Sequence, residues 1–421
     1  MDFSNINFRP YKYKVDRLDL TIENYGEFKV EPRLVNSIKI EKDYDNYVFP
    51  YLELQIMIPN AVFRAMQKSN IECHAYLNIK GGYGSADYAD GESDDNIVWK
   101  DYINQTLYML SDSSSTDPLE STYDEIEKEN GVYGENSVSD MCTTYILLYN
   151  EEYLFGARKT INAVLNNCNL MDAATFICQK CGLKKILASP AFNNKKYTQL
   201  ILPPLTAVEN LDYICNNYAL HQCGTVIFFD WNRGYIIDKN SVCTAWTPNE
   251  SKEIYITSYN MNSTRTSFVG GCAYADGVSV INLRTGSINF SVPSVVNDQS
   301  IGTNIVMIDS KSGSINKRNS NAKISSASNG GTSTVLVTNS GEDTSKAVAQ
   351  TLREASREAS VNMEAVDLDM LLPNKEFNIS MDDASLSQYM GKYRCTKFIA
   401  LLTRDGDTMS NSVQATFKGY E

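Results

Sequence analysis

The stretch YLELQIMIP, Tyr51 to Pro59, alternates without a break: Leu52, Leu54, Ile56 and Ile58 fall on one side, Glu53, Gln55 and Met57 on the other. A repeat of two residues is the period of a strand with one face buried, and it does not match the 3.6-residue repeat of a helix. Pro59 ends the strand, since it has no N–H to offer a ladder. Asn60 then stands where it can cap a short helix, AVFRAMQKS, with Val62, Phe63 and Met66 on one side.

Working outward, the same reading extends both ways. Upstream, KVEPRLVNSIKIEK sets Leu34, Ile38 and Ile40 at even spacing; downstream, CHAYLNIKG and VWKDYINQTLYML read as further strands. Antiparallel strands carrying one helix predict a small barrel or sandwich over residues 1–115. Its loop insertion, about 81–140, joins Gly, Ser, Tyr and acids and lacks sustained apolar periodicity.

From residue 141 the pattern changes. TTYILLYN and ARKTINAVLNN lead to a helix, MDAATFICQKC, closed by Gly182 beyond its C-terminus. In ILPPLTAVENLDYI, Leu202 and Pro203 each precede a proline, which disfavours the helical region and delays the helix until after Leu205. Thr206 and Glu209 have the spacing of a capping box, and Val208, Leu211, Ile214, Cys215 and Tyr218 form an apolar stripe behind them. TVIFFDWNRGYIID reads as a hairpin turning between Asp230 and Gly234. An αβ region thus fills about 141–250.

The remainder, 251–421, is again strand-like. Asp276-Gly277 and Asp405-Gly406 sit between apolar runs and predict tight hairpins. Phe398, Ala400 and Leu402 alternate, as do Val413, Ala415 and Phe417. An insertion of about 295–365 interrupts this region: a Ser/Asn/Gly-rich linker, Ser312 to Asp343, and a helix TSKAVAQTLREASREASVNMEA with Val348, Leu352, Ala355 and Ala359 as its stripe. The fold class expected is α+β, mainly β, with two tube-like barrel or sandwich domains flanking a smaller αβ region.

The 421 residues carry a net charge of −13, and between Gly81 and Asp140 fifteen acidic residues face only Lys100 and Lys128, which accounts for all of it. The rest of the chain is balanced, without a basic face for phosphates or anionic lipid, so sequence-specific nucleic-acid binding is not expected. No signal-peptide pattern or apolar run long enough to span a bilayer is visible, so no membrane anchor is expected. The ten cysteines are spread along the chain and read as mostly reduced and buried.

Candidate chemistry is sparse. Cys178-Gln-Lys-Cys181 has the spacing of a metal or redox pair, and Cys215, His221 and Cys223 are the nearby residues that could complete a zinc set, at irregular spacing. The competing reading puts Ala174, Cys178 and Cys181 on the buried face of the helix. No metal site is expected, and Cys178 and Cys181 are the weak candidates. DYADGESDDN, Asp87 to Asn96, clusters oxygens but, counted from Asp87, lacks Gly at the sixth and Glu at the twelfth position of a calcium loop. His74 and His221 belong to no HExxH or triad arrangement. No catalytic residue, cofactor-binding residue or cofactor is expected.

Three stretches carry a resemblance to a known family: VEPRLVNSIKIEKDYDNYVFPYLELQIMIPN (30–60), YTQLILPPLTAVENLDYICNNYALHQCGTVIFFDWNRGYIID (197–238) and LLPNKEFNISMDDASLSQYMGKYRCTKFIALLTRDGD (371–407). Together they resemble the central baseplate hub protein of bacteriophage tails and related contractile injection devices. The acidic insertion and the Ser312–Asp343 linker depart from the family's pattern. The resemblance implies two tube domains per chain, about 1–115 and 250–421, and a homotrimer whose six tube-like units adapt a sixfold tail tube to a threefold central spike around a DNA channel. It implies the tail tube protein, the central spike protein, other baseplate proteins and the tape measure as partners. It also implies a place in the virion tail, assembled in the host cytoplasm, and no enzyme activity. A tail-tip cell-wall hydrolase and a receptor-binding adhesin are the alternatives; the scarcity of histidine and the lack of an added domain after Tyr420 disfavour the hydrolase.

Overall fold

The computed structural model describes residues 8–67, 73–84, 97–111, 141–190, 194–218, 220–221, 224–231, 233–239, 253–257, 271–275, 278–283, 287–291, 304–309, 315–319, 333–338, 358–380 and 389–419. The N-terminal region contributes β1 (Tyr11–Ile22), β2 (Gly26–Val30), β3 (Val35–Asp43), β4 (Tyr51–Pro59), β5 (Cys73–Tyr83), β6 (Lys100–Ser111) and β7 (Met141–Tyr149), with α1 (Asn60–Gln67) after β4. Leu52, Leu54, Ile56 and Ile58 are fully buried and the residues between them are not. Each such side chain contributes roughly 1.5–3 kcal/mol when removed from water, and a slip of one residue would turn all four outward.

The first strands do not close by themselves. β5 pairs β1 and β6, β6 pairs β7, β7 pairs β4 and β4 pairs β3, all antiparallel. Closure comes from the end of the chain, where β22 (Gly391–Asp405) and β23 (Thr408–Gly419) form a long hairpin. β22 pairs β3 through Lys397–Thr403, and β23 meets β1 at Tyr13 and Met409. Eight strands thus make a ring, a size at which side chains fill the interior. The buried faces of β3, β4, β5, β6, β7, β22 and β23 meet in one apolar cluster. Closure also leaves no free edge around the ring.

The same hairpin builds the C-terminal unit. There the chain forms β13 (Glu253–Thr257), β14 (Gly271–Ala275), β15 (Val278–Asn282), β16 (Ser287–Ser291), β17 (Asn304–Asp309), β18 (Ile315–Asn319), β19 (Ser333–Thr338), β20 (Glu358–Glu364) and β21 (Glu376–Ser380). The order β14-β15-β13-β21-β22 runs into the hairpin from one side, and β23-β20-β16 leaves it on the other. In β22 the partner changes from β21, at Gly391–Tyr393, to β3, from Lys397 onward. Between these lies a register shift at Cys395/Lys397. Such a bulge bends a strand, and the carbonyl of its extra residue, Thr396, accepts from the Tyr44 amide at 2.8 Å. The two β regions are therefore one hydrogen-bonded sheet with a shared hairpin.

Three expectations are corrected here. Glu358–Glu364, expected as the end of a helix, is the strand β20: Ala359, Val361 and Met363 are buried with period two, and β16 and β23 pair with its two edges. The helical stripe there was an accident of Ala359; Val348, Leu352 and Ala355 lie outside the described residues. The stretch expected as linker contains β18 and β19, which flank β17 in a separate three-stranded sheet. At the last hairpin Asp405 pairs Thr408, so Gly406 and Asp407 are the turn residues, one position later than expected. Of the two only Gly406 has positive φ, 62°, the pattern of a II′ turn. β14 and β15 pair as far as Ala275 and Val278, and Asp276 and Gly277 lie outside the described residues. So do 85–96 and 112–140, most of the acidic insertion and the whole of Asp87–Asn96.

The αβ region has its own core. It comprises α2 (Glu151–Arg158), β8 (Thr160–Cys168), α3 (Leu170–Lys180), β9 (Ile186–Ala188), β10 (Tyr197–Thr206), α4 (Ala207–Tyr218), β11 (Thr225–Asp230) and β12 (Arg233–Asp238). β10 pairs β8, while β12 lies between β11 and β9. Asn169 and Asp172 form a capping box at the start of α3. Gly182, at φ 94°, ends it with the double bond pattern Leu183 N–H to Cys178 O and Gly182 N–H to Gln179 O. Thr206 and Glu209 cap α4 reciprocally, with Glu209 Oε2 accepting from the Thr206 amide at 2.9 Å and Thr206 Oγ1 from the Glu209 amide at 3.3 Å. The two prolines sit at an irregularity inside β10, between the pairs Leu202–Ala163 and Leu205–Ile161, and the cap starts the helix directly after Thr206.

Candidate functional site at the junction of the two β units

Cys178 and Cys181, the weak metal candidates, lie inside the αβ region. Cys178 and Cys181 are both fully buried in the core of the αβ region. Burial pushes both thiols up, Cys181 to about 11, whereas a metal ligand or redox thiol needs its thiolate stabilised. Cys215, partly buried, is pushed up to about 12 for the same reason, and Cys223 lies outside the described residues. His221 is buried, with Nδ1 3.0 Å from Thr225 Oγ1; burial lowers its pKa, so it sits as a neutral ring. His74, on β5, places Nδ1 3.2 Å from Glu151 Oε2. Among the described residues no three His, Cys, Asp or Glu side chains are grouped as metal ligands. Among the same residues no helix is long and apolar enough to cross a membrane.

Charge is concentrated instead where the three regions meet. Lys42 on β3 has a fully buried side chain, and its Nζ lies 2.7 and 2.9 Å from the two oxygens of Asp230, the last residue of β11. The rings of Tyr102, Phe398 and Trp231 surround the ammonium at 5.7, 5.7 and 6.0 Å from their centroids. Close by, Asp45 receives both terminal nitrogens of Arg394 at 3.0 and 3.1 Å, with Lys239 and Lys418 at 3.5 and 3.4 Å. Burial alone would raise the Asp45 carboxyl, but these three cations hold it well below the usual carboxylate range. The first site bolts β3 to β11, and the second bolts the β3–β4 loop to β22, β23 and the residue after β12. Nothing in their local sequence announces them, because the partners are separated by 188 and 349 residues.

Beside them a strap, Val366 to Lys375, crosses the end of the barrel. Ala365 introduces it in the left-handed region, φ 54°, held by its carbonyl accepting from the Tyr11 amide at 2.9 Å. Tyr13 Oη accepts from the Leu368 amide at 2.8 Å, Tyr44 Oη donates to the Leu371 carbonyl at 2.6 Å, and Asn411 bonds both backbone groups of Val366. The strap's leucines fall inward, and Asp367 and Asp369 turn toward a cavity of about 530 Å³. That cavity is walled by β1, β5 and β6 of the barrel, by β13, β14 and β15 of the C-terminal unit, and by the strap. Burial, and then the neighbouring Asp369, push Asp367 up to about 7. Asp369, whose side chain is 47% exposed, is raised too; Arg233 stands 3.5 Å from it. Burial favours the protonated form of both carboxyl groups.

Comparison with known proteins bears on the whole chain. A family model described as the bacteriophage PBS1 gene 109 protein matches residues 21–420. The chain belongs to this phage protein family. No curated protein matches the sequence. Among solved structures, the chain is similar to a tail protein from Neisseria meningitidis MC58, at 10% identity over 97% of this chain and 96% of that one, with a TM-score of 0.48. It is similar to the prophage MuSo2 43 kDa tail protein from Shewanella oneidensis at 10% identity, covering 95% and 98%, TM-score 0.44. A third likeness is to the E. coli c3393 protein, a type VI secretion system component, at 8% identity, covering 96% and 77%, TM-score 0.46.

Proposed function

We propose that the protein is a structural component of the virion tail: a homotrimeric baseplate hub, without catalytic activity, that adapts a sixfold tail tube to a threefold central spike. Membership of a phage family and the resemblance of the three quoted stretches support this reading. The observation that carries it is the shared β22–β23 hairpin, which joins two β units of one chain through continuous strand pairing. Three such chains present six β units around a threefold axis. Because side chains fill the barrel, a channel for DNA runs between protomers and not through them. A lumen without excess Lys and Arg lets the nucleic acid slide. The tail tube protein, the central spike, other baseplate proteins and the tape measure are the partners under this reading, and assembly takes place in the host cytoplasm.

Light scattering coupled to size exclusion tests it. A mass three times 47.1 kDa, alone or with tail tube protein added, is expected; a strict monomer that never joins the tube protein overturns the reading. Clearing on a cell-wall zymogram would overturn the non-catalytic part.

A further inference from the structure

We propose that the junction cavity binds a saccharide, taking a neutral sugar ring against the exposed Tyr274 with polar side chains at its wall. Its volume of about 530 Å³ lies within the range of small-molecule sites, roughly 300–1,000 Å³. Tyr83, Tyr102 and Tyr274 line it, with Asp101, Asp367 and Lys100 among them. Flat aromatic faces pack the C–H face of a pyranose, while carboxylates and ammonium groups bond its hydroxyls.

The tyrosines are not equivalent. Tyr83 packs edge-on against Tyr11 at 4.9 Å and has a structural task. Tyr274 is 55% exposed, on the edge strand β14, and belongs to no apolar cluster of the described core. The Tyr102 ring packs edge-on against Tyr13 at 5.5 Å and beside the Lys42 ammonium, and its hydroxyl is buried, so its task too is structural.

Charge decides among ligand classes. Asp101, Asp367 and Asp369 stand against Lys100 and Lys375. Three carboxyl groups thus face two ammonium groups, and burial favours the neutral form of Asp367, so the wall carries little net charge. An anion such as phosphate would face the carboxyl pair, and a divalent cation finds no grouping of three ligands among the described residues. A neutral polyhydroxyl ligand meets neither obstacle. The inference is independent of the trimer and of the tube contacts.

The test uses the full chain and isothermal titration, with saturation-transfer NMR, against chitotriose, maltotriose, inorganic phosphate and cadaverine. At least one of the two trisaccharides is expected to bind with a Kd of about 1 mM or tighter. Tyr274→Ala, a surface change that leaves the fold intact by circular dichroism, is expected to weaken it at least about tenfold. Asp367→Asn is the second variant and is expected to weaken it as well. Failure of both sugars to saturate, binding of phosphate or cadaverine alone, or sugar binding unchanged in both variants overturns the proposal.

Discussion

The Lys42–Asp230 pair ties the αβ region to the barrel, and its energetics can be worked from its geometry. The two side chains are 0% and 4% exposed, and two bonds of 2.7 and 2.9 Å join them. Asp230→Asn keeps an oxygen for the Trp231 amide, which Asp230 Oδ1 accepts at 3.0 Å, but leaves the ammonium without its anion. An uncompensated buried charge costs about 3–5 kcal/mol. Lys42→Met costs a similar amount by stranding the carboxylate. The double variant Lys42→Met/Asp230→Asn removes both charges and sets a flexible apolar side chain among Tyr102, Trp231 and Phe398, so it is expected to be more stable than either single variant. Urea unfolding followed by fluorescence and circular dichroism measures the midpoints, compared at unchanged slope. If the double variant loses the sum of the two single losses, the pair is not coupled and the argument fails.

Three further outcomes follow from local geometry. Thr206→Ala removes the acceptor for the Glu209 amide and the hydroxyl bonded to Glu209 Oε2 at 2.8 Å; a loss of about 1 kcal/mol in the unfolding free energy is expected. Gly156→Ala places a methyl 2.4 Å from the Cys181 carbonyl oxygen, and a thermal melt should report an overpacking cost of about 1–3 kcal/mol. Asp367, at about 7 in the fold against an ordinary 3.8, keeps a proton between these values that the unfolded chain releases. Stability therefore falls as pH rises through that window. Asp367→Asn should flatten the dependence, gaining on the wild type from pH 4 to 7; parallel melting curves for the two proteins would refute it.

Much of the candidate site was illegible because its members are brought together from distant strands. Tyr11, Tyr102, Tyr274 and Asp367 come from four elements, and none carries a spacing that marks it. The strap's Asp367 is raised only because burial and Asp369 act together, which no local pattern encodes. The CxxC of α3, by contrast, was the most legible motif and led to an ordinary core, because a helix's last buried turn and a metal pair share the same spacing.

What the sequence determined by itself is local. The alternation of Leu52, Leu54, Ile56 and Ile58, the capping residues Thr206 and Glu209, and the glycines at 182 and 406 act within a few residues, through side-chain period and φ preference. The tertiary structure alone decided that the last hairpin closes the first barrel, that Glu358–Glu364 is a strand, and which charges meet underground at Lys42 and Asp45. Strand partners, and the burial that makes a charge pair matter, depend on segments hundreds of residues apart, and a one-dimensional period contains no term for them.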